Sequence, residues 1–126
     1  MNESATAIEA AATTPRTPFF RRVDWSAFWA SFILSFAVYF YTMAPTVGLE
    51  DAGELAVASD YLGVPHPPGY PLWTMLTWVF TKVFSFVTFR GQPNPAWSVT
   101  LFSVVTGALA SGLTALCEAV RVIDRG

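Results

Sequence analysis

The sequence predicts an all-α fold: a polytopic transmembrane helical bundle of about three spans, with a short juxtamembrane helix in the first outer loop. Three observations predict it. Of 126 residues, 53% are hydrophobic and only 13% charged, about half the charge of an ordinary soluble domain, and mean hydropathy is +0.44. Three stretches, 25–44, 70–89 and 96–117, each reach the roughly 20 apolar residues that a bilayer crossing needs. The first and third carry no charge and the second only Lys82. Between the first two lies a loop, 45–69, that gathers Glu50, Asp51, Glu54 and Asp60 and has no Lys or Arg.

Composition also excludes. Net charge is −2 and no basic stripe is present, so a nucleic-acid partner is not expected. The single cysteine, Cys117, can make neither an internal disulfide nor a metal site by itself. In its apolar run it is expected to pack as a small hydrophobe. A cleaved signal peptide is the competing reading of the first span. A run near 20 residues is too long for it, and no clear small-x-small cleavage site follows.

The Ala/Thr/Pro-rich start has no helical periodicity, so 1–24 is read as a disordered cytoplasmic tail. The remainder, 25–126, is read as one transmembrane unit, the start of a longer chain. Arg16, Arg21 and Arg22 precede the first span, and the acidic loop follows it. Basic residues stay cytoplasmic, which puts the N-terminus inside and the loop outside. The second span then returns inward, with Lys82 snorkelling toward the inner interface, and the third runs outward. That leaves Arg121 and Arg125 on the outer side, against the rule.

Aromatic residues crowd the first span: Trp25, Phe28, Trp29, Phe32, Phe36, Tyr39, Phe40 and Tyr41. Their simplest role is membrane anchoring. Pro45 ends the span. A short amphipathic helix over 51–62 follows, with Leu55, Ala58 and Leu62 on one face, lying along the membrane surface and stopped by Gly63. Four prolines within 65–71 then forbid a regular helix or a central strand. Pro71 suits the first turn of the next helix, where a missing N–H costs little. Residues 90–95 form the turn before the third span. In that span Ser103, Gly107, Ser111 and Ala115 repeat every four positions, a seam that admits another helix closely.

Chemistry concentrates in the loop. Asp51 and Glu54, three apart, share a helix face, whereas Asp60 points away. One reading of the pair is an N-terminal capping box. The other is a carboxylate at the membrane surface that takes a proton from a substrate hydroxyl; a cap is compatible with it. His66, the sole histidine, sits in the rigid proline turn on the same face, where it is either structural or a donor to a phosphate.

Three runs, taken together, are specific. They are Tyr39-x-x-Thr42-Met43-Ala44-Pro45-Thr46-Val47, then Asp51-Ala52-Gly53-Glu54-Leu55, then Leu62-Gly63-Val64-Pro65-His66-Pro67-Pro68-Gly69-Tyr70-Pro71-Leu72. With Asn94 and Ser98, they resemble the N-terminus of the protein O-mannosyltransferase-like membrane proteins, over about 38–110. Bacterial members of that family form a domain of unknown function, and an animal relative acts as a protein O-mannosyltransferase. The resemblance implies a GT-C glycosyltransferase fold in a bacterial inner membrane. It also implies a polyprenyl-phosphate sugar donor and a protein or glycan acceptor. Carried over residue by residue, Asp51 is the essential loop acid and Glu54 the second acid. His66, Pro67, Pro68 and Tyr70 are the donor-phosphate and substrate-binding residues. Two departures stand out: His66 occupies the lysine position of the Lys-Pro-Pro found in related aminoarabinose transferases, and Glu50 replaces the Trp that often precedes the Asp. No cofactor and no metal ligand is assigned, and metal dependence is left open. The chain alone is expected to be inactive, because the family's later spans complete the site.

Two other functions compete. A membrane scaffold would use the small-residue seam and the aromatic span to hold partner helices, leaving Asp51 and His66 silent. A transporter would need charges deep in the membrane, and Lys82, near a helix end, is the single candidate.

Overall fold

A computed structural model describes residues 20–48 and 51–124. Residues 1–19 of the expected tail over 1–24, Glu50 and Arg125 lie outside the described residues, while 22–24 of that tail are helical rather than disordered. Four helices and one small ladder follow in order: α1 (Arg22–Thr42), α2 (Ala52–Tyr61), α3 (Pro71–Val83), β1 (Thr88–Phe89), β2 (Gln92–Pro93) and α4 (Pro95–Asp124). The fold is helical as expected, with a two-residue antiparallel ladder added.

Helix α1 starts three residues before the expected Trp25. The Arg21 N–H donates to Asp24 Oδ2 at 2.7 Å, which satisfies an orphan donor of the first turn. Of its 21 residues only Asp24 and Phe28 are buried. A helix that is apolar all round and uncovered suits a lipid surrounding. It stops at Thr42, where Met43 turns extended ahead of Pro45.

Helix α4 packs antiparallel against α1. Ser31 Oγ donates to the Ser111 carbonyl at 3.2 Å, Phe28 sits on Gly112, and Asn94 Nδ2 donates to the Pro45 carbonyl at 2.7 Å. The small-residue seam is therefore filled, in part, by α1: Tyr39 lies over Gly107. The closest approach is at Gly112, one place beside the expected seam. A Cβ there would meet the Phe28 ring at 2.9 Å and the Phe28 carbonyl at 3.2 Å. Gly112→Leu is accordingly expected to cost about 1–3 kcal/mol of stability, read as a lower thermal-inactivation temperature in detergent. Gly48→Ala, with open space around it, should leave that temperature unchanged.

The stretch 70–89 is not the span the composition predicts. Helix α3 has 13 residues, about 20 Å, well short of a hydrocarbon core of about 30 Å. It ends because the chain reverses. Arg90 (φ 53°) and Gly91 (φ 80°) both adopt left-handed backbone, as a two-residue hairpin turn requires, and the pairs Thr88–Pro93 and Phe89–Gln92 flank them. Among the described residues two helices, not three, are long and apolar enough to cross a membrane: α1 and, in α4, Pro95–Ala119. With α1 and α4 antiparallel, Arg121 comes to the same end as Arg21 and Arg22. Lys82 does not snorkel toward that end; its Nζ binds Asp60 Oδ1 at 2.9 Å.

Helices α2 and α3 run side by side in the same direction. Leu55 and Trp73 line one pocket near their starts, Ser59 Oγ and Thr77 Oγ1 meet at 2.8 Å, and Asp60 meets Lys82 further along. The proline-rich connection has to travel back along α2 to make this possible. It begins with Leu62 in left-handed backbone (φ 53°) and a Gly63 N–H to Ala58 carbonyl bond of 2.8 Å, a helix C-terminal motif. The expected apolar face of α2 is only partly realised. Ala58 is buried with Ala56 and Ser59, but Leu62, as the cap, is half-exposed.

Candidate functional site

The parallel arrangement brings the starts of α2 and α3 together. Asp51 precedes α2, Tyr70 precedes α3, and the returning loop lays His66 between them. Asp51, Leu55, His66, Tyr70, Trp73 and Ser103 line an open pocket of about 350 Å³. A second pocket, about 240 Å³, shares Leu55, Trp73 and Ser103 and continues between α4 and the segment after α1.

The two acids do different things. Glu54 clamps His66: its Oε1 accepts the His66 backbone N–H at 2.6 Å, and its Oε2 lies 3.1 Å from the ring Nδ1. The capping box is therefore not formed. Asp51 makes no cap hydrogen bond with its side chain, and Glu54 reaches forward to His66 rather than back. The Asp51 carboxylate is 66% exposed, with Oδ2 4.0 Å from His66 Nε2. The backbone N–H and then the ring of His66 hold Glu54 below the usual carboxylate range. The hydrogen bond to the Glu54 carboxylate, then its charge, and last the charge of Asp51 hold His66 above the usual imidazole range, against an opposing desolvation.

This sets a pH window. The His66 contribution is present below about pH 6.5 and fades as pH rises through the raised folded value. The Glu54 contribution is present above about pH 4.5 and fades as pH falls through the lowered folded value. The ion pair is complete between the two. A histidine-selective NMR titration of the full-length protein should place the His66 midpoint above 6.5, and Glu54→Gln should lower it toward that value.

Ligand-capable atoms of Asp51, Glu54 and His66 all lie within 4.8 Å of one another, and carboxylates with an imidazole suit a divalent cation. Glu54 Oε1 already accepts the His66 backbone N–H and Oε2 already meets His66 Nδ1, so a cation there would have to break that clamp. Asp51 Oδ2 and His66 Nε2 remain open.

Of the other expected residues, Tyr70 lines the pocket, with its ring 6.2 Å from that of His66. Pro68 lines a different pocket, with Leu62, Val64 and Met75. Pro67 is exposed; the prolines shape the loop that delivers His66. Trp73 and Ser103 are additions to the expected set. Trp73 stands one helical turn after Tyr70, a spacing that puts the two on one face. Asn94, buried, starts α4 by accepting the Trp97 N–H at 3.3 Å while holding Pro45, and Ser98 is buried beside it.

Two apolar span-length helices joined at one end by an acid–histidine pocket point to a membrane protein whose working surface is at that end. Residues 51–124 match the family described as Protein O-mannosyl-transferase TMEM260 N-terminal domain, and the chain belongs to that family. It is similar to the protein O-mannosyl-transferase tmem260 of Dictyostelium discoideum, 39% identical over 80 residues, 64% of this chain and 9% of that one. It is also similar to the protein O-mannosyl-transferase TMEM260 of Mus musculus, 38% identical over 77 residues, 61% of this chain and 10% of that one. The chain thus spans about a tenth of the length of these relatives. No solved structure matches it.

Proposed function

We propose that the chain is the N-terminal part of a GT-C-type membrane glycosyltransferase that moves a sugar, mannose by analogy with the names of its relatives, from a polyprenyl-phosphate donor to an acceptor hydroxyl. The observation that carries the reading is the division of labour in the pocket: Asp51 exposed beside the His66 ring, His66 clamped by Glu54. Asp51 takes the proton of the acceptor hydroxyl as its oxygen attacks the anomeric carbon. The bond from that carbon to the phosphate oxygen breaks, and polyprenyl phosphate leaves with the electron pair. His66 meets the departing charge. The lysine-to-histidine change is offset by Glu54, which favours the charged imidazolium nearer neutral pH.

Membership of the family and the two span-length helices support a membrane site. Arg21, Arg22 and Arg121 at one end make that end cytoplasmic and the pocket external. The test is sugar transfer to an acceptor peptide by full-length protein carrying Asp51→Asn. The reading requires a large loss, and an undiminished rate would overturn it.

A further inference from the structure

We propose, on the glycosyl-transfer reading above, that Trp73 is the platform for the donor's sugar: a hexopyranose ring rests its C–H face on the indole, beside Tyr70 and the Asp51–His66 pair. What the five tryptophans do singles it out. Trp25 and Trp29 pack on Phe28, Trp97 packs on Phe84, and the Lys82 ammonium lies over Trp78 at 5.9 Å. The Trp73 indole has no ring, cation or hydrogen-bond partner among the described residues, and it lines both pockets of the site.

An indole is a broad apolar plate with one donor at its edge, and inside a protein both are normally occupied. Trp73 is half-buried with neither occupied. A hexopyranose offers the complement: a face of ring C–H bonds and a rim of hydroxyls. Polar groups for that rim surround the plate. They are the Asp51 carboxylate, the Tyr70 hydroxyl, unpaired among the described residues, and Ser103 Oγ, whose bond to the Val99 carbonyl is long at 3.4 Å. An apolar wall with a few convergent polar groups is the make-up of a small-molecule site, and about 350 Å³ falls near the lower end of the usual range, as suits one sugar ring and its phosphate.

The backbone is bent to set this wall. Gly69 (φ 87°) and Tyr70 (φ 42°) are both left-handed immediately before α3. Glycine adopts that conformation freely, whereas a tyrosine is strained in it, and a residue capping a helix start is usually extended. The strained turn sets the Tyr70 ring edge-on to His66 at 6.2 Å, and one turn on Trp73 follows on the same face as Tyr70. Thr77 holds that first turn in place, donating to the Trp73 carbonyl and meeting Ser59 of α2. With the phosphate at His66 and the acceptor hydroxyl at Asp51, the anomeric carbon lies between them. The body of the sugar is then left against the rest of the lining, where Trp73 is the largest surface.

The test measures binding of two probes, polyprenyl phosphate and mannosyl-phosphoryl polyprenol, to full-length protein carrying Trp73→Leu or Trp73→Phe. Leucine keeps apolar bulk without a flat face, and phenylalanine keeps a flat face. Trp73→Leu is expected to bind the mannosyl lipid about tenfold more weakly and Trp73→Phe within about threefold of wild type, while polyprenyl phosphate binds all three proteins within about twofold. An equal loss for both lipids would make Trp73 a structural or lipid-contacting residue, and unchanged binding of the mannosyl lipid by Trp73→Leu would remove it from the site. Either result overturns the proposal. Sugar transfer by the wild type, measured in parallel, separates the two levels: transfer present with either of those results overturns the platform alone, and no transfer by the wild type overturns the glycosyl-transfer reading with it.

Discussion

Asp51→Asn in the full-length protein is expected to lower sugar transfer about 10²–10⁴-fold, the usual loss when a positioned general base is removed. The geometry makes Asp51 the sensitive acid. Its carboxylate is exposed, forms no helix cap and opens onto the pocket shared with His66 and Tyr70. Asparagine keeps the shape but cannot take a proton, so the loss should fall on kcat rather than on KM for the donor. Thermal stability should barely move, since no hydrogen bond of the cap is given up. A variant that lost stability in step with activity would assign Asp51 a structural role instead.

His66→Ala is expected to reduce transfer about 10–100-fold, mainly by weakening hold on the donor phosphate and on the charge that develops as it leaves. His66→Lys should recover part of the loss, because a lysine at this place also presents a cation to a phosphate. Glu54→Gln is expected to act through His66. It loosens the loop, lowers the His66 midpoint and moves the alkaline limb of the rate profile to lower pH. Measuring transfer against pH for wild type and Glu54→Gln checks this. If His66 serves only packing, His66→Lys rescues nothing and the two profiles coincide.

The first and last helices are legible in the sequence because an uninterrupted apolar run without charge leaves few alternatives. The end of α1 and the start of α4 lie within two residues of the expected places, set by Pro45 and Asn94, while α4 runs on to Asp124, seven residues past the expected end. The middle stretch is misread because summed hydrophobicity does not register where a helix ends, here at Val83. One signal there carries the answer: Thr74, Thr77 and Thr81 fall on one helical face and are buried, in a segment that composition treats as uniform. With α1 and α4 antiparallel, Arg121 lies at the same end of the molecule as Arg21 and Arg22.

In the site, the grouping of Asp51, Glu54, His66 and Tyr70 is visible in the motif, but their division of labour is not. Three-residue spacing at a helix start favours a capping box when only local partners are considered. The bond that defeats it, Glu54 to His66, spans twelve residues and depends on the proline loop folding back along α2. Trp73 and Ser103 enter the pocket for the same reason, since they are brought there by the parallel course of α3 and its crossing of α4.

The central claim is that Asp51 is the reacting carboxylate while Glu54 serves to hold His66. Single-turnover transfer by full-length Asp51→Asn protein with donor already bound tests it most directly. The account predicts donor binding close to wild type and a chemical step slowed at least about a hundredfold. A wild-type single-turnover rate, or loss of donor binding with the chemical step intact, would contradict it.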